Sequence, residues 1–370
     1  MLILIIILLN FTPFCVIIAS KEVTIMKLTH TEKLMKEKYA NNEFDSYAVL
    51  VGVGDDDAFI SSPNVDKDTY FDVASMGKVL VTSTLILRAV SDGLLSLDDT
   101  LEKFFPDVPE EKKDITLRLL LTHSSGIVRI PIPDRTADCG KEAVAEHILR
   151  HPLAYEPGTG YIYSCNGFIL LGFILEKVFG MSLDEIYYKY ITTPLGLERS
   201  RFNIAVDEEN AAVCYRWKYP GKYRVDDENV YTLGGIAGNG ASHSCAGDIQ
   251  KFIKAVLDKD ERLYDKELFR LAETNYTPDF GEGRGLGYLV VSEKYKQTGA
   301  LFDDGSFGHC GHCGGSFFIN RKKRMYVIIL TNATRCLASK DKYGRYDYGV
   351  IMKMREDIHN AVKMDLDEQV

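Results

Sequence analysis

Extended, β-branched segments lie toward the two ends of this chain and are scarce in its middle. A sheet built from them must therefore be closed by strands arriving from opposite ends. Ser46 to Val53 reads as a strand, and a second covers the region around Phe59. The C-terminal third adds Tyr288–Val291, Ser316–Ile319 and Met325–Thr331. The last periodic stretch, Tyr346 to Met364, places Val350, Ile351, Met354, Ile358 and Val362 at the 3–4 spacing of a helix packed on a sheet. Residues 95 to 275 read as mostly helical and loop-rich. The expected fold class is α/β (α+β): an antiparallel sheet flanked by helices, interrupted by a mostly α-helical domain. Residues 26–94 and 276–370 form the sheet domain, and 95–275 the helical insertion.

The most chemically suggestive segment lies where the first sheet region gives way to a helix. Tyr70 to Ala74 is extended, and Val79, Leu80, Leu85, Ile86 and Val90 then mark a helix that stops at Gly93. Ser75-Met76-Gly77-Lys78 sits at the junction. A serine in the first turn lies among unpaired backbone N–H groups. A lysine three residues on shares its face. An amine so placed can hold or take a hydroxyl proton, which is what a serine nucleophile requires. Alone, the tetrad reads more simply as an N-cap serine and a surface lysine.

Further segments change that balance. Tyr163-Ser164-Cys165 follows downstream, and His309-Cys310-Gly311 lies far beyond it. Between and around them stand Leu119–Gly126 (LLLTHSSG), Glu156-Pro157-Gly158-Thr159, Gly167–Gly172 and Pro194-Leu195-Gly196-Leu197, then Tyr326–Asn332. In this order, from about residue 45 to about residue 335, the chain resembles the serine β-lactamase and penicillin-binding protein superfamily, in its class C and DD-peptidase/esterase branch. The resemblance implies a site in the cleft between the sheet and helical regions, a usual place for small-molecule sites.

The resemblance assigns the parts. Ser75 is the acylated nucleophile, Lys78 accepts or orients its proton, and Tyr163 shuttles protons to the leaving group and from water. Lys78 is expected to have a lowered pKa and Tyr163 to work beside its charge. His309 replaces the lysine of the "KTG" element, as in "HxG" relatives, and is expected opposite Tyr163, donating to the phenolate or to a substrate carboxylate. Activity on carboxylate-bearing substrates is then expected to fall above about pH 7. Gly311 lets the substrate backbone lie along the strand. The N–H groups of Ser75 and His312 form the oxyanion hole.

One position departs from the family pattern. Cys165 stands where the tyrosine motif usually carries Asn, so an amide that bonds a substrate amide carbonyl is missing. This favours ester or small-peptide turnover over efficient β-lactam hydrolysis. Three functions remain open: a serine hydrolase of esters or D-amino-acid, cell-wall-type peptides; a β-lactamase; and a non-catalytic penicillin or muropeptide sensor.

The run His309-Cys310-Gly311-His312-Cys313 also carries zinc-type ligands. Along a continuous strand, 309, 311 and 313 face one way and 310 and 312 the other, so no metal is expected there. Cys165 and Cys313 are expected to border the cleft. Gly52-Val53-Gly54 lacks the third glycine and helix start of a dinucleotide site. Gly281 to Gly287 leads into a strand rather than a helix N-terminus, so it is no phosphate cradle. No cofactor is expected.

At 370 residues, with 46% hydrophobic and 26% charged side chains, the chain has an ordinary globular composition. Its net charge of −9 lacks the basic footprint of a nucleic-acid binder. The expected partner is a small-molecule or peptide substrate. Met1 to Ala19 is uncharged and apolar, and residues 1–25 read as a signal or membrane anchor. The lysines that follow it would hold the catalytic part of an uncleaved anchor in the cytoplasm. A start at Met26 would give a cytoplasmic protein. Eight cysteines, seven without the leader, form no small-scaffold disulfide pattern.

Overall fold

A computed structural model describes residues 26–205, 207–214, 224–240, 242–293, 295, 297–337 and 347–369. The apolar leader, residues 1–25, and Tyr346 lie outside them. Among the described residues, ten strands form two sheets. In the large sheet, β1 (Tyr47–Val53) and β2 (Asp56–Ser61) join β6 (Gly283–Arg284), β7 (Leu289–Val290), β8 (Phe307–Cys310), β9 (Ser316–Asn320) and β10 (Met325–Thr331). The order is β2-β1-β10-β9-β8-β7-β6, antiparallel throughout. The N-terminal strand β1 thus pairs with the last strand, from Tyr47 opposite Thr331 to Val53 opposite Met325. A small sheet of β3 (Tyr70–Asp72), β4 (Ala211–Ala212) and β5 (His243–Ser244) sits beside the nucleophile turn.

Both faces of the large sheet are covered, which is why β1 and β10 are near-continuous apolar runs. Val49, Val51, Phe318, Val327 and Ile329 pack against Met35 of α1 (Thr29–Ala40) and Ile351, Met354 and Ile358 of the C-terminal helix. The alternate residues Ala48, Leu50, Phe317, Ile328 and Leu330 face the larger core, with α2 (Thr84–Ser91), α3 (Cys165–Phe179) and α4 (Ala246–Asp258). The C-terminal helix, α5, spans Tyr348–Asp367. Truncating one of these buried leucines costs about 2–5 kcal/mol. Helix α4 packs on β1 and β10, and Arg321 next to β9 bonds the Val256 and Leu257 carbonyls near the end of α4. Packing thus assigns α4 to the sheet's cover, ahead of the boundary at residue 275 expected from the sequence. Among the described residues no single helix is long and apolar enough to cross a membrane.

Candidate active site

The nucleophile turn is strained and held. After β3 the chain turns sharply at Ala74, a non-glycine residue with φ of 48°. Its N–H is fixed by the Asp72 carboxylate at 2.7 Å. Ser75 follows in a single 3-10 turn, partly exposed, and Lys78 opens π-helical turns, Lys78–Ser83, that lead into α2. Lys78 is fully buried. Its Nζ donates to Ser75 Oγ at 3.0 Å, to the Asn239 carbonyl at 2.6 Å and to Cys165 Sγ at 3.6 Å. The loop carrying Asn239 reaches Lys78 because glycine meets glycine: a Cβ on Gly238 would lie 2.1 Å from the Phe168 carbonyl of α3.

Tyr163 lies just before α3, whose first turn is capped by Ser164 Oγ accepting from Gly167 N–H at 3.3 Å. Its ring centre is 5.0 Å from Lys78 Nζ, and its buried hydroxyl faces Ser75 and Lys78 without closing a well-formed hydrogen bond to either. Burial pushes the phenol pKa up and Lys78 pulls it back only partly. Burial also disfavours the Lys78 charge, but the anionic forms of Cys165 and Tyr163 favour it more, so its pKa stands above the usual value. This reverses the lowered value expected from the sequence, because the amine's neighbours include acidic protons as well as apolar groups. Lys78 rests as an ammonium, and the lysine–tyrosine pair titrates as a unit.

Cys165 lines the cleft at the start of α3, whereas Asn166 turns away to bond Ile130 through both amide atoms, at 3.4 and 3.3 Å. His309, on β8, has its ring centre 6.3 Å from that of Tyr163. Its Nδ1–H donates to the Cys310 carbonyl at 2.8 Å, leaving Nε2 as a buried acceptor. Burial, then Arg284 and Lys78, hold its pKa well below the ordinary value. The expected donating imidazolium is therefore a neutral ring, because two cations already occupy its surroundings.

Gly311 also differs from expectation. A Cβ there would meet the Val73 carbonyl at 2.7 Å and Ala74 Cβ at 3.2 Å. The space this glycine leaves is filled by the nucleophile turn rather than by substrate. Strand β8 ends at Cys310, and Gly314 N–H closes a turn onto the Gly311 carbonyl at 3.1 Å. Side-chain alternation stops there, so His312 and Cys313 come together instead of pointing apart. His312 lines the cleft. Cys313 is buried behind it, in contact with Ala74 and Cys214, so only Cys165 of the expected pair borders the cleft. Desolvation disfavours the charge on His312, but Cys313 and Asp226 outweigh it and hold its pKa well above the usual value.

Three residues carry parts of the site that the sequence did not single out for them. Arg284, on edge strand β6, is buried and stacked at 5.2 Å on Tyr163 and 5.4 Å on Tyr161. Nη2 bonds Tyr161 Oη at 2.8 Å and pairs with Glu282, while Nε and Nη1 find no partner among the described residues. Its only sequence signal is a charge inside a glycine-rich strand. His123, with φ of 57°, accepts the Ser164 N–H on Nδ1 at 3.1 Å and lies 4.5 Å, ring to ring, from Tyr163. Arg355 of α5 reaches under the 311–314 turn to bond the Gly311 and Gly314 carbonyls, and gives Nη1 to Gln297 Oε1 at 2.6 Å. Ser75, Tyr163, Cys165, Arg284, His309 and His312 all line one cleft of about 1040 Å³.

A buried lysine donating to a serine at a helix start, with a phenol over it and an edge strand opposite, defines a serine-centred hydrolase site in a mixed sheet-and-helix scaffold. A family model described as Beta-lactamase matches residues 28–346, and the chain belongs to that family. Over 299 residues it is 29% identical to an Escherichia coli K12 protein named "Putative D-alanyl-D-alanine carboxypeptidase", covering 71% of this chain and 69% of that one. The octameric penicillin-binding protein homologue of Pyrococcus abyssi superposes with a TM-score of 0.67 at 26% identity, covering 83% of this chain and 74% of the other. EstCE1, a hydrolase with promiscuous acyltransferase activity, shares the fold at a TM-score of 0.70 and 17% identity, covering 90% and 98%. The protein is a hydrolase of the β-lactamase fold.

Proposed function

We propose that the protein forms an acyl-enzyme on Ser75 and hydrolyses small esters or D-amino-acid peptides whose acyl or leaving part carries a carboxylate. The observation that carries this reading is the contact of Lys78 Nζ with Ser75 Oγ at 3.0 Å beneath Tyr163, with the unpaired Arg284 donors in the same cleft. Ser75 Oγ attacks the carbonyl carbon as its proton passes into the Lys78–Tyr163 pair once that pair has lost one proton. The pair then protonates the leaving oxygen or nitrogen, and a water repeats the sequence to release the acid. The N–H groups of Ser75 and His312 receive the developing oxyanion. Arg284 takes the carboxylate through a charge-assisted hydrogen bond from Nη1 or Nε, since Nη2 is already held by Tyr161 and Glu282.

Cys165 sets the leaning toward esters. A thiol at the start of α3 offers no amide to a β-lactam or peptide carbonyl, and Asn166 is committed to Ile130. The test is a screen of short-chain aryl esters, D-Ala-D-Ala peptides and a chromogenic cephalosporin against wild type and Tyr163→Phe. Ester or peptide turnover is expected, falling about 10²–10⁴-fold in the variant. Cephalosporin as the best substrate would make the protein a β-lactamase. Reversible peptide binding without turnover would make it a sensor.

A further inference from the structure

The turn that ends β8 brings three metal-ligand side chains to one point. His312 Nε2 lies 3.2 Å from Asp226 Oδ2, Cys313 Sγ lies 3.7 Å from His312 Nε2, and Cys313 Sγ lies 3.8 Å from Asp226 Oδ2. These three atoms form the sole group of its kind among the described residues. The triangle has the dimensions of a coordination face. Zinc bonds of about 2.0 Å to nitrogen or oxygen and about 2.3 Å to sulfur, at tetrahedral angles, require edges of about 3.3 Å for N···O and about 3.5 Å for the two edges to sulfur. Each observed edge lies close to its requirement.

Two further observations point to a ligand. The Asp226 side chain is 3% exposed, yet its Oδ1 finds no hydrogen-bond partner among the described residues. Leaving a buried carboxylate oxygen unpaired is costly, and a cation would satisfy it. The donors are also held in place before any ion arrives. Asp226 N–H is bonded by Asp72 Oδ2 at 3.1 Å, and the Cys313 carbonyl accepts from Ala333 N–H at 3.0 Å and Thr331 Oγ1 at 2.9 Å. Arg355 fixes the carbonyls at both ends of the turn. The Cys214 thiol contacts that of Cys313. Such supporting bonds are what orient ligands in built metal sites.

We propose that Asp226, His312 and Cys313 bind one zinc-class divalent cation at the rim of the cleft, with a fourth coordination position open to it. Asp226 and His312 both line the cleft, so water or a substrate carboxylate completes the shell there. Binding requires the Cys313 thiolate and a neutral His312 imidazole, so the thiol proton and the proton on His312 Nε2 are both released to solvent. The ion ties the segment carrying Asp226, just before Glu228–Thr232, to the turn whose His312 N–H we assign to the oxyanion. A bound ion is therefore a control on the hydrolase rather than a part of its proton relay.

The test is titration of chelator-treated full-length protein with Co2+, read by absorption, with Zn2+ as competitor. One equivalent is expected to give a thiolate-to-cobalt charge-transfer band and the intense visible bands of a tetrahedral site, both erased by Zn2+. Cys313→Ser is expected to remove the charge-transfer band. His312→Ala, which alters a partly exposed side chain, is expected to weaken Co2+ binding at least tenfold. Cys165→Ser and Cys214→Ser keep the band. The proposal is overturned if no band forms at one equivalent, if it survives in folded Cys313→Ser, if His312→Ala leaves the affinity unchanged, or if Cys165→Ser abolishes it.

Discussion

His309 and His312 stand three residues apart and line the same cleft, yet one lies on a strand and the other on the turn that ends it. His309 is fully enclosed beside Arg284, Lys78 and Tyr163, and burial with two cations keeps it neutral. His312, with a quarter of its side chain exposed, faces Asp226 and Cys313 instead. The strand wall is buried and already holds its positive charge in Arg284 and Lys78. The turn gathers donors that accept one. Residue type did not decide this; the place where β8 stops did.

On this contrast the proposed carboxylate contact falls to Arg284 rather than to His309, and its test carries the largest expected effect. Arg284→Gln is expected to raise KM for carboxylate-bearing esters about 10–100-fold, as for the loss of a charge-assisted hydrogen bond. A neutral aryl ester should stay within about threefold. Equal losses for both substrates would mean that Arg284 supports the site only structurally, through Tyr161 and Tyr163.

The pH profile comes next. The Lys78 and Tyr163 pKa values both stand above their ordinary positions, so near pH 7 the pair is fully protonated. The form lacking one proton grows tenfold for each pH unit, and kcat/KM on a neutral ester is expected to rise with unit slope between about pH 6.5 and 9. A neutral His309 adds no fall near pH 7. A decline above pH 7 would restore a charged His309 and erase the contrast with the turn.

A smaller effect concerns the fold. His123 and His309 are held well below the usual imidazole pKa, and burial brings His243 and His359 to about 4. Each binds its proton more readily unfolded, where the value is about 6.5. Their contribution is complete above pH 6.5 and is lost as pH falls toward 4, by up to about 1.4 kcal/mol per unit for each. Urea unfolding at pH 7, 6 and 5 should show this fall, with a shallower slope in His309→Asn. A pH-independent midpoint would contradict the buried, neutral state of these rings.

Much of the scaffold was legible because apolar periodicity reports sheet and helix directly. β1 and the segment around Ser75 fall where the residues indicated, and β10 pairs with β1 as strands at opposite ends require. Ser75, Lys78, Tyr163, Cys165 and His309 carried signals in short local motifs, and the structure brings them to one cleft. The parts that were not legible depend on distant pairing. Arg284 gains meaning only when β6 closes the edge of the sheet over Tyr163. Arg355 does so only when α5 packs beneath the 311–314 turn. The placing of His312 and Cys313 was misjudged because alternation was extended one turn too far, past Cys310.

The central claim is that Ser75, and not the neighbouring thiol of Cys165, takes the acyl group. Acid-quenched intact mass after mixing with an activated short-chain ester, followed by peptide mapping, tests it most directly. The account predicts one acyl group on the peptide holding Ser75, absent from Ser75→Ala and retained by Cys165→Ser. An adduct on Cys165, or turnover that persists in Ser75→Ala, would contradict it.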